Sequence, residues 1–252
     1  MRKSSLIVIV IALLASFSFH SASAKQKDAH FRLVNFIEAP EAKLTITNLK
    51  NGEQVVFTID YGKSMKYVNL SPDHYQFSIL IENEKVLEQE FVIGANGFYT
   101  LVLAGMLTDD IQTNEYTTIF KLKKLFGGET KDDNNFMPQW YMLRDNYDGS
   151  TKAPYVRFVN VSPSSTPLSV QEQNSKLFKK VLYPHNTDMK KITGGSHRYE
   201  IKKGDITVSE IELKTTAGYV YTIFTGPNMN DAREMKTIVL ENKSKALMMQ
   251  KN

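Results

Sequence analysis

The chain has 252 residues, 42% of them hydrophobic, no cysteine and a formal charge of +4. The missing cysteine excludes disulfides, cysteine–zinc sites, a thiol nucleophile and lipoprotein attachment, so an exported form relies on its hydrophobic core, for which the length suffices. Charges that nearly cancel set up no strong basic field, and nucleic acid is not an expected partner.

The first element is a signal peptide at residues 1–24. Arg2 and Lys3 precede an unbroken apolar run at 6–14, and Ser21-Ala22-Ser23-Ala24 offers the small residues a signal peptidase reads, so cleavage is expected before Lys25. The run is short of the roughly 20 apolar residues of a spanning helix, and no later segment reaches that length. No stable membrane span is expected after cleavage. Removing residues 1–24 takes away two basic residues and no acid, which lowers the formal charge from +4 to +2.

The remainder reads as β structure throughout, in two copies of one unit. His30-Phe31-Arg32-Leu33-Val34-Asn35 opens the first copy and Tyr155-Val156-Arg157-Phe158-Val159-Asn160 the second. Leu44-Thr45-Ile46-Thr47 alternates as a half-buried strand does, and Asn51-Gly52 marks a hairpin before the next apolar run. Tyr75 and Tyr199 sit in matching alternating contexts, with His74 and His197 in corresponding places beside them. Further on, Gly97-Phe98-Tyr99-Thr100 matches Gly218-Tyr219-Val220-Tyr221-Thr222, after which Gly105 corresponds to Gly226. The closing strands are Trp140-Tyr141-Met142-Leu143-Arg144-Asp145 and Thr237-Ile238-Val239-Leu240-Glu241-Asn242. Residues 127–135 read as an exposed excursion, 146–154 as the linker, and 245–250 as a turn of helix. Short strands of this kind predict an all-β chain: two tandem antiparallel β-sandwich domains of Ig-like or Greek-key type, at residues 25–150 and 151–252.

Tyr155-Val156-Arg157-Phe158-Val159-Asn160-Val161-Ser162-Pro163 resembles the opening strand of a bacterial extracellular domain family of unknown function, which begins with a Tyr-Val-Arg-Phe-Val-His-Ala-Ser-Pro-type motif and often occurs in tandem. Ile59-Asp60-Tyr61-Gly62-Lys63-Ser64-Met65-Lys66-Tyr67 is similar to its central strand pair, and Gly218-Tyr219-Val220-Tyr221-Thr222 resembles its later Gly-x-x-Tyr-Thr strand. Asn35 and Asn160 stand where that family commonly has histidine, a difference that bears on a shared ligand and not on the fold. A second resemblance is to the periplasmic accessory protein of alginate O-acetylation, in two β-sandwich domains and in a strand similar to Phe98-Tyr99-Thr100-Leu101-Val102. It implies a role beside exopolysaccharide modification.

Few residues offer chemistry. Ser196 and His197 are adjacent, so on a strand they point to opposite faces and form no nucleophile–base pair, and Gly194-Gly195-Ser196-His197 reads as a β-turn. The histidines after residue 24, His30, His74, His185 and His197, have no metal-ligand spacing. Asp109-Asp110 and Asp132-Asp133 read as solvated loop charge. Arg32 and Arg157, each inside an apolar strand, read either as outward-facing residues whose stems pack on neighbours or as contacts for an anion or uronate. Phe136-Met137-Pro138-Gln139-Trp140-Tyr141 reads as interdomain packing, or as a stacking surface for a sugar or protein partner. Arg32, Arg157, Trp140 and Tyr141 are therefore the candidate ligand or partner contacts. No catalytic, cofactor or metal residue is expected. The reading is a non-catalytic secreted, periplasmic or cell-envelope protein that binds or scaffolds an envelope protein or polysaccharide. The rival from another class is a secreted hydrolase with a dispersed active site.

Overall fold

The computed structural model describes residues 28–37, 39, 41–105, 138–145, 152–163, 166–173, 175–228 and 234–243. The expected signal peptide at 1–24, the two acid pairs, the excursion at 127–135, Phe136 and Met137, most of the linker at 146–154 and the turn at 245–250 lie outside the described residues.

The described residues form strands and no helix. In the first half these are β1 (Ala29–Ile37), β2 (Glu41–Asn48), β3 (Gln54–Asp60), β4 (Lys63–Ser64), β5 (Val68–Leu70), β6 (Asp73–Ile81), β7 (Glu84–Ile93), β8 (Phe98–Gly105) and β9 (Gln139–Arg144). In the second they are β10 (Tyr155–Asn160), β11 (Leu168–Glu172), β12 (Ser175–Val181), β13 (Lys190–Lys191), β14 (Gly195–Lys203), β15 (Ile206–Thr215), β16 (Tyr219–Pro227) and β17 (Met235–Lys243). Each half makes one sandwich. In the first, β4-β1-β8-β9, with β5 also on β1, faces β3-β2-β6-β7; in the second, β13-β10-β16-β17 faces β12-β11-β14-β15. Strand order is the same in both, so the repeat extends from sequence to topology.

Pairing is antiparallel with two exceptions: β1 runs parallel to β8, and β10 runs parallel to β16. The expected tandem antiparallel sandwiches are thus present, each with one parallel pair in its inner sheet. The chain leaves β1, builds the opposite sheet and returns at β8, a crossover long enough for parallel neighbours. The registers also fix the repeat residue by residue. Phe31 pairs Tyr99 and Arg32 pairs Thr100; Val156 pairs Tyr221 and Arg157 pairs Thr222. Arg32 is thus equivalent to Arg157, and Tyr99 to Tyr221. The same counting places Gly226 against Ala104 rather than Gly105.

Each sandwich has its own core. Phe31, Leu33, Leu44, Ile46, Phe77, Ile79, Tyr99 and Leu101 fill the first. Val156, Phe158, Val170, Tyr199, Ile201, Tyr221 and Ile223 fill the second. A third cluster lies between them. Val34, Phe36, Val102, Ala104 and Leu143 of the first sandwich meet Val159, Val161, Tyr183 and Phe224 of the second. The inner sheets therefore pack on each other through the faces turned away from their own cores. This explains why β1 and β8 are buried almost without alternation: both faces of these strands are covered. At this contact Gly226 lies against Phe36, and a Cβ built on it would approach the ring carbon Cδ1 to 2.4 Å.

Two asparagines tie the sheets together identically. Asn35 Nδ2 donates to the Ile59 carbonyl at 3.1 Å while its Oδ1 accepts from the Ile37 N–H at 2.9 Å. Asn160 Nδ2 donates to the Val181 carbonyl at 2.8 Å and its Oδ1 accepts from the Ser162 N–H at 2.9 Å. Both are fully buried, and this pairing satisfies amides that would otherwise each cost about 1–3 kcal/mol.

Candidate functional site at the domain junction

The face that β1 and β10 turn toward each other carries more than apolar residues. Arg32 and Arg157 sit on it, 5% and 4% exposed. They do face away from their own cores, as the outward reading requires, but the other sandwich covers that face, so they are not surface residues. Between them lies Asp145, the residue after β9, with its backbone N–H on the Phe98 carbonyl at 2.8 Å. Arg157 Nη2 forms an ion pair with Asp145 Oδ1, and Arg32 Nη2 lies 3.4 Å from Oδ2. One carboxylate from the first sandwich is thus shared by an arginine from each.

Further hydrogen bonds hold the two arginines and the carboxylate in place. Arg32 Nε donates to Thr100 Oγ1 at 2.7 Å, and Arg157 Nε to Thr222 Oγ1 at 2.9 Å, the same bond in both repeats. The Thr100 hydroxyl donates on to Asp145. Arg157 Nη1 reaches the Arg144 carbonyl at 3.1 Å. Tyr67 places its hydroxyl 2.7 Å from Asp145 Oδ2 and its ring beneath the Arg32 guanidinium, 4.4 Å from the centroid. Two guanidiniums against one carboxylate leave an excess positive charge, which the ring face and the hydroxyl oxygens offset in part. Burial draws the Arg32 guanidinium below the usual arginine range, and Tyr67 and Asp145 act against that shift. Burial, and then the Asp145 charge, push the Tyr67 phenol well above the usual tyrosine range.

A groove of about 180 Å³ opens over this cluster, lined by Tyr67, Phe98, Asp145, Glu241, Asn242 and Lys243. Asn242 is the counterpart of Asp145: Tyr99 pairs Arg144 in one sandwich and Tyr221 pairs Glu241 in the other. Its Oδ1 lies 3.3 Å from the Tyr67 hydroxyl, and its Nδ2 is buried without a partner.

The other candidates lie apart from this cluster. Trp140 donates from Nε1 to Gln89 Oε1 at 2.8 Å, and its ring meets Phe91 edge-on at 5.7 Å, so it packs on the first sandwich's own core. Tyr141 belongs to the interdomain cluster, where its hydroxyl is buried without a hydrogen bond and burial raises its phenol strongly. Arg157 and Tyr141 are therefore contacts between the two sandwiches in this structure, and Arg32 holds the shared Asp145 from the first-sandwich side. Asp145, which completes the cluster, is the residue that sequence reasoning passed over.

The Ser196-His197 pair behaves as strand geometry requires. Ser196 is exposed, while His197 is buried with Nδ1 2.7 Å from Glu172 Oε1 and Nε2 3.0 Å from the Thr193 carbonyl. The expected turn is corrected to a strand start, because Ser196 and His197 already pair with Lys214 and Leu213 of β15. His74 and His197 are one position out of correspondence: Asn48 pairs Tyr75 and Glu172 pairs Tyr199, so Asp73 matches His197. That single step places His74 on the exposed face. No group of three His, Asp or Glu among the described residues is placed to hold a metal ion. No helix of the described residues is long and apolar enough to cross a membrane.

No family model and no curated relative matches the chain. Among solved structures, one similar arrangement is a candidate cell adhesion protein from Bacteroides ovatus, with 7% identity over 87% of this chain and 98% of that one, at a TM-score of 0.25. A likeness of that size carries no argument about activity.

Proposed function

We infer that the chain is a non-catalytic exported protein of the cell envelope, in which two sandwiches held as one body bind or scaffold a partner or an exopolysaccharide. The observation that supports this is the sharing of Asp145 between Arg32 and Arg157. This charged cluster is buried, and through Arg157, which donates to Asp145 and to the Arg144 carbonyl, it fixes the second sandwich to the first. A catalytic carboxylate needs access to substrate and a free lone pair; Asp145 has four donors already, from Arg32, Arg157, Tyr67 and Thr100. A role beside exopolysaccharide O-acetylation is the finer form of the same reading, and it rests on the strand resemblances alone.

The test is affinity electrophoresis of the exported protein through gels containing purified acetylated exopolysaccharide, with chain length and acetyl content of the polymer assayed in parallel. Retardation without change to the polymer is the expected result. Shortening or deacetylation of the polymer by the pure protein overturns the non-catalytic reading in favour of a hydrolase.

A further inference from the structure

The two outer sheets end in four edge strands: β3 and β7 in the first sandwich, β12 and β15 in the second. Three of them are guarded in the way that suppresses edge-to-edge pairing. β7 carries Glu84, Lys85, Glu88 and Glu90, and β15 carries Glu210, Glu212 and Lys214. β12, the counterpart of β3, carries Lys176, Lys179 and Lys180, and its register against β11 is broken twice. β3 is the least guarded: its one charge is Asp60 at the very end, Gln54-Val55-Val56-Phe57-Thr58-Ile59 is uncharged, and its pairing with β2 runs from Glu41–Asp60 to Thr47–Gln54 without a shift. Val55 and Val56 are 45% and 58% exposed. A depression of about 520 Å³ lies at the Val55 end of the strand, lined by Val55, Leu70 and Tyr75 together with Lys50, Glu53 and Asp73.

We propose that β3 is a self-association edge, on which a second copy of this chain docks its own β3 antiparallel to form a two-fold dimer with one continuous outer sheet. The strand is complementary to itself. About a two-fold axis through Phe57, Val56 faces the partner's Thr58, Val55 faces the partner's Ile59, and Gln54 faces the partner's Asp60. No like charges are opposed, and an amide meets a carboxylate at each end. Seven residues give a ladder roughly 24 Å long. The far edge of the same sheet is β7, whose charges stop further growth, so the contact closes at two copies rather than propagating.

Sedimentation velocity of the exported protein from micromolar to near-millimolar concentration is the test, with amide hydrogen exchange read at residues 54–60. The expected result is a monomer–dimer equilibrium in which those amides gain protection as the dimer forms. Val56→Lys, which copies the guard found on β12, is expected to weaken association about tenfold or more. Thr58→Lys on the same face gives a second variant, and circular dichroism confirms that each is folded. A monomer at every concentration overturns the proposal. So does a dimer that survives both substitutions, and so does an edge that takes up an unrelated extended peptide while the chain stays monomeric.

Discussion

Replacing Asp145 with alanine should uncouple the two sandwiches. The substitution leaves two guanidiniums, each about nineteen-twentieths buried, with no counter-charge, and it removes the acceptor of the Tyr67 and Thr100 hydroxyls. Breaking a buried ion pair from one side costs about 3–5 kcal/mol. The Thr100 hydroxyl, left without an acceptor, adds on the order of 1 kcal/mol, while Tyr67 keeps Asn242 Oδ1 at 3.3 Å. A domain's whole stability is about 5–15 kcal/mol, so the loss is a large part of it. Three of its four donors belong to the first sandwich and the fourth, Arg157, to the second, so the loss falls on the first sandwich and on its docking to the second, and not on the second sandwich's core. Trp140 is the sole tryptophan and packs on the first sandwich, so its fluorescence follows that half, while far-ultraviolet circular dichroism follows both. In urea the parent should give coincident transitions by the two probes. Asp145→Ala should separate them and lower the earlier midpoint. The triple substitution Arg32→Met, Asp145→Leu, Arg157→Met removes the charges together and should restore coincidence, since apolar replacement of a buried cluster is often neutral or stabilising. Coincident transitions in Asp145→Ala, within about 1 kcal/mol of the parent, would refute the reasoning.

Three further outcomes follow from the junction. Tyr141→Phe deletes a buried hydroxyl that has no partner, and should raise stability by up to about 1 kcal/mol in thermal unfolding; a loss of that size would mean the hydroxyl is bonded. Gly226→Ala drives a methyl group into the Phe36 ring and should cost about 1–3 kcal/mol, relieved by Phe36→Leu in the same chain. Alkaline titration should be steep. Burial raises Tyr67 and Tyr141 in the folded state and pushes Tyr183 up to about 12, so their contribution is complete below the unfolded tyrosine value near pH 10 and is lost as pH rises beyond it. Phenolate absorbance should then lag free tyrosine and appear together with loss of tertiary structure; early ionisation in a folded protein would contradict the burial.

Much of this was readable from residue order. The repeated Arg-x-Val-Asn and Tyr-Thr strands gave the two sandwiches and the equivalence of Arg32 with Arg157, because alternation and turn chemistry are local signals. The junction was less legible. The apolar pair Leu33-Val34 and the run Leu101-Val102-Leu103-Ala104, which put apolar residues on both faces, were the available sign that both faces are covered, yet they do not say by what. Asp145 could have been singled out by aligning the closing strands, where it matches Asn242 after Leu143 and Leu240. Its partners come from strands 113 and 12 positions away, and no local pattern encodes such distances. Gly226 and the His74–His197 offset turned on a shift of one residue, which reverses the face of a strand and can only be fixed by the ladder itself.

The claim that the two sandwiches move as one body is tested most directly by residual dipolar couplings on the exported protein in a weakly aligning medium. Couplings from β1–β9 and from β10–β17 should fit a single alignment tensor, with the two halves oriented as the Arg32–Asp145–Arg157 bridge holds them. Two tensors of different magnitude or direction in the parent protein would contradict it.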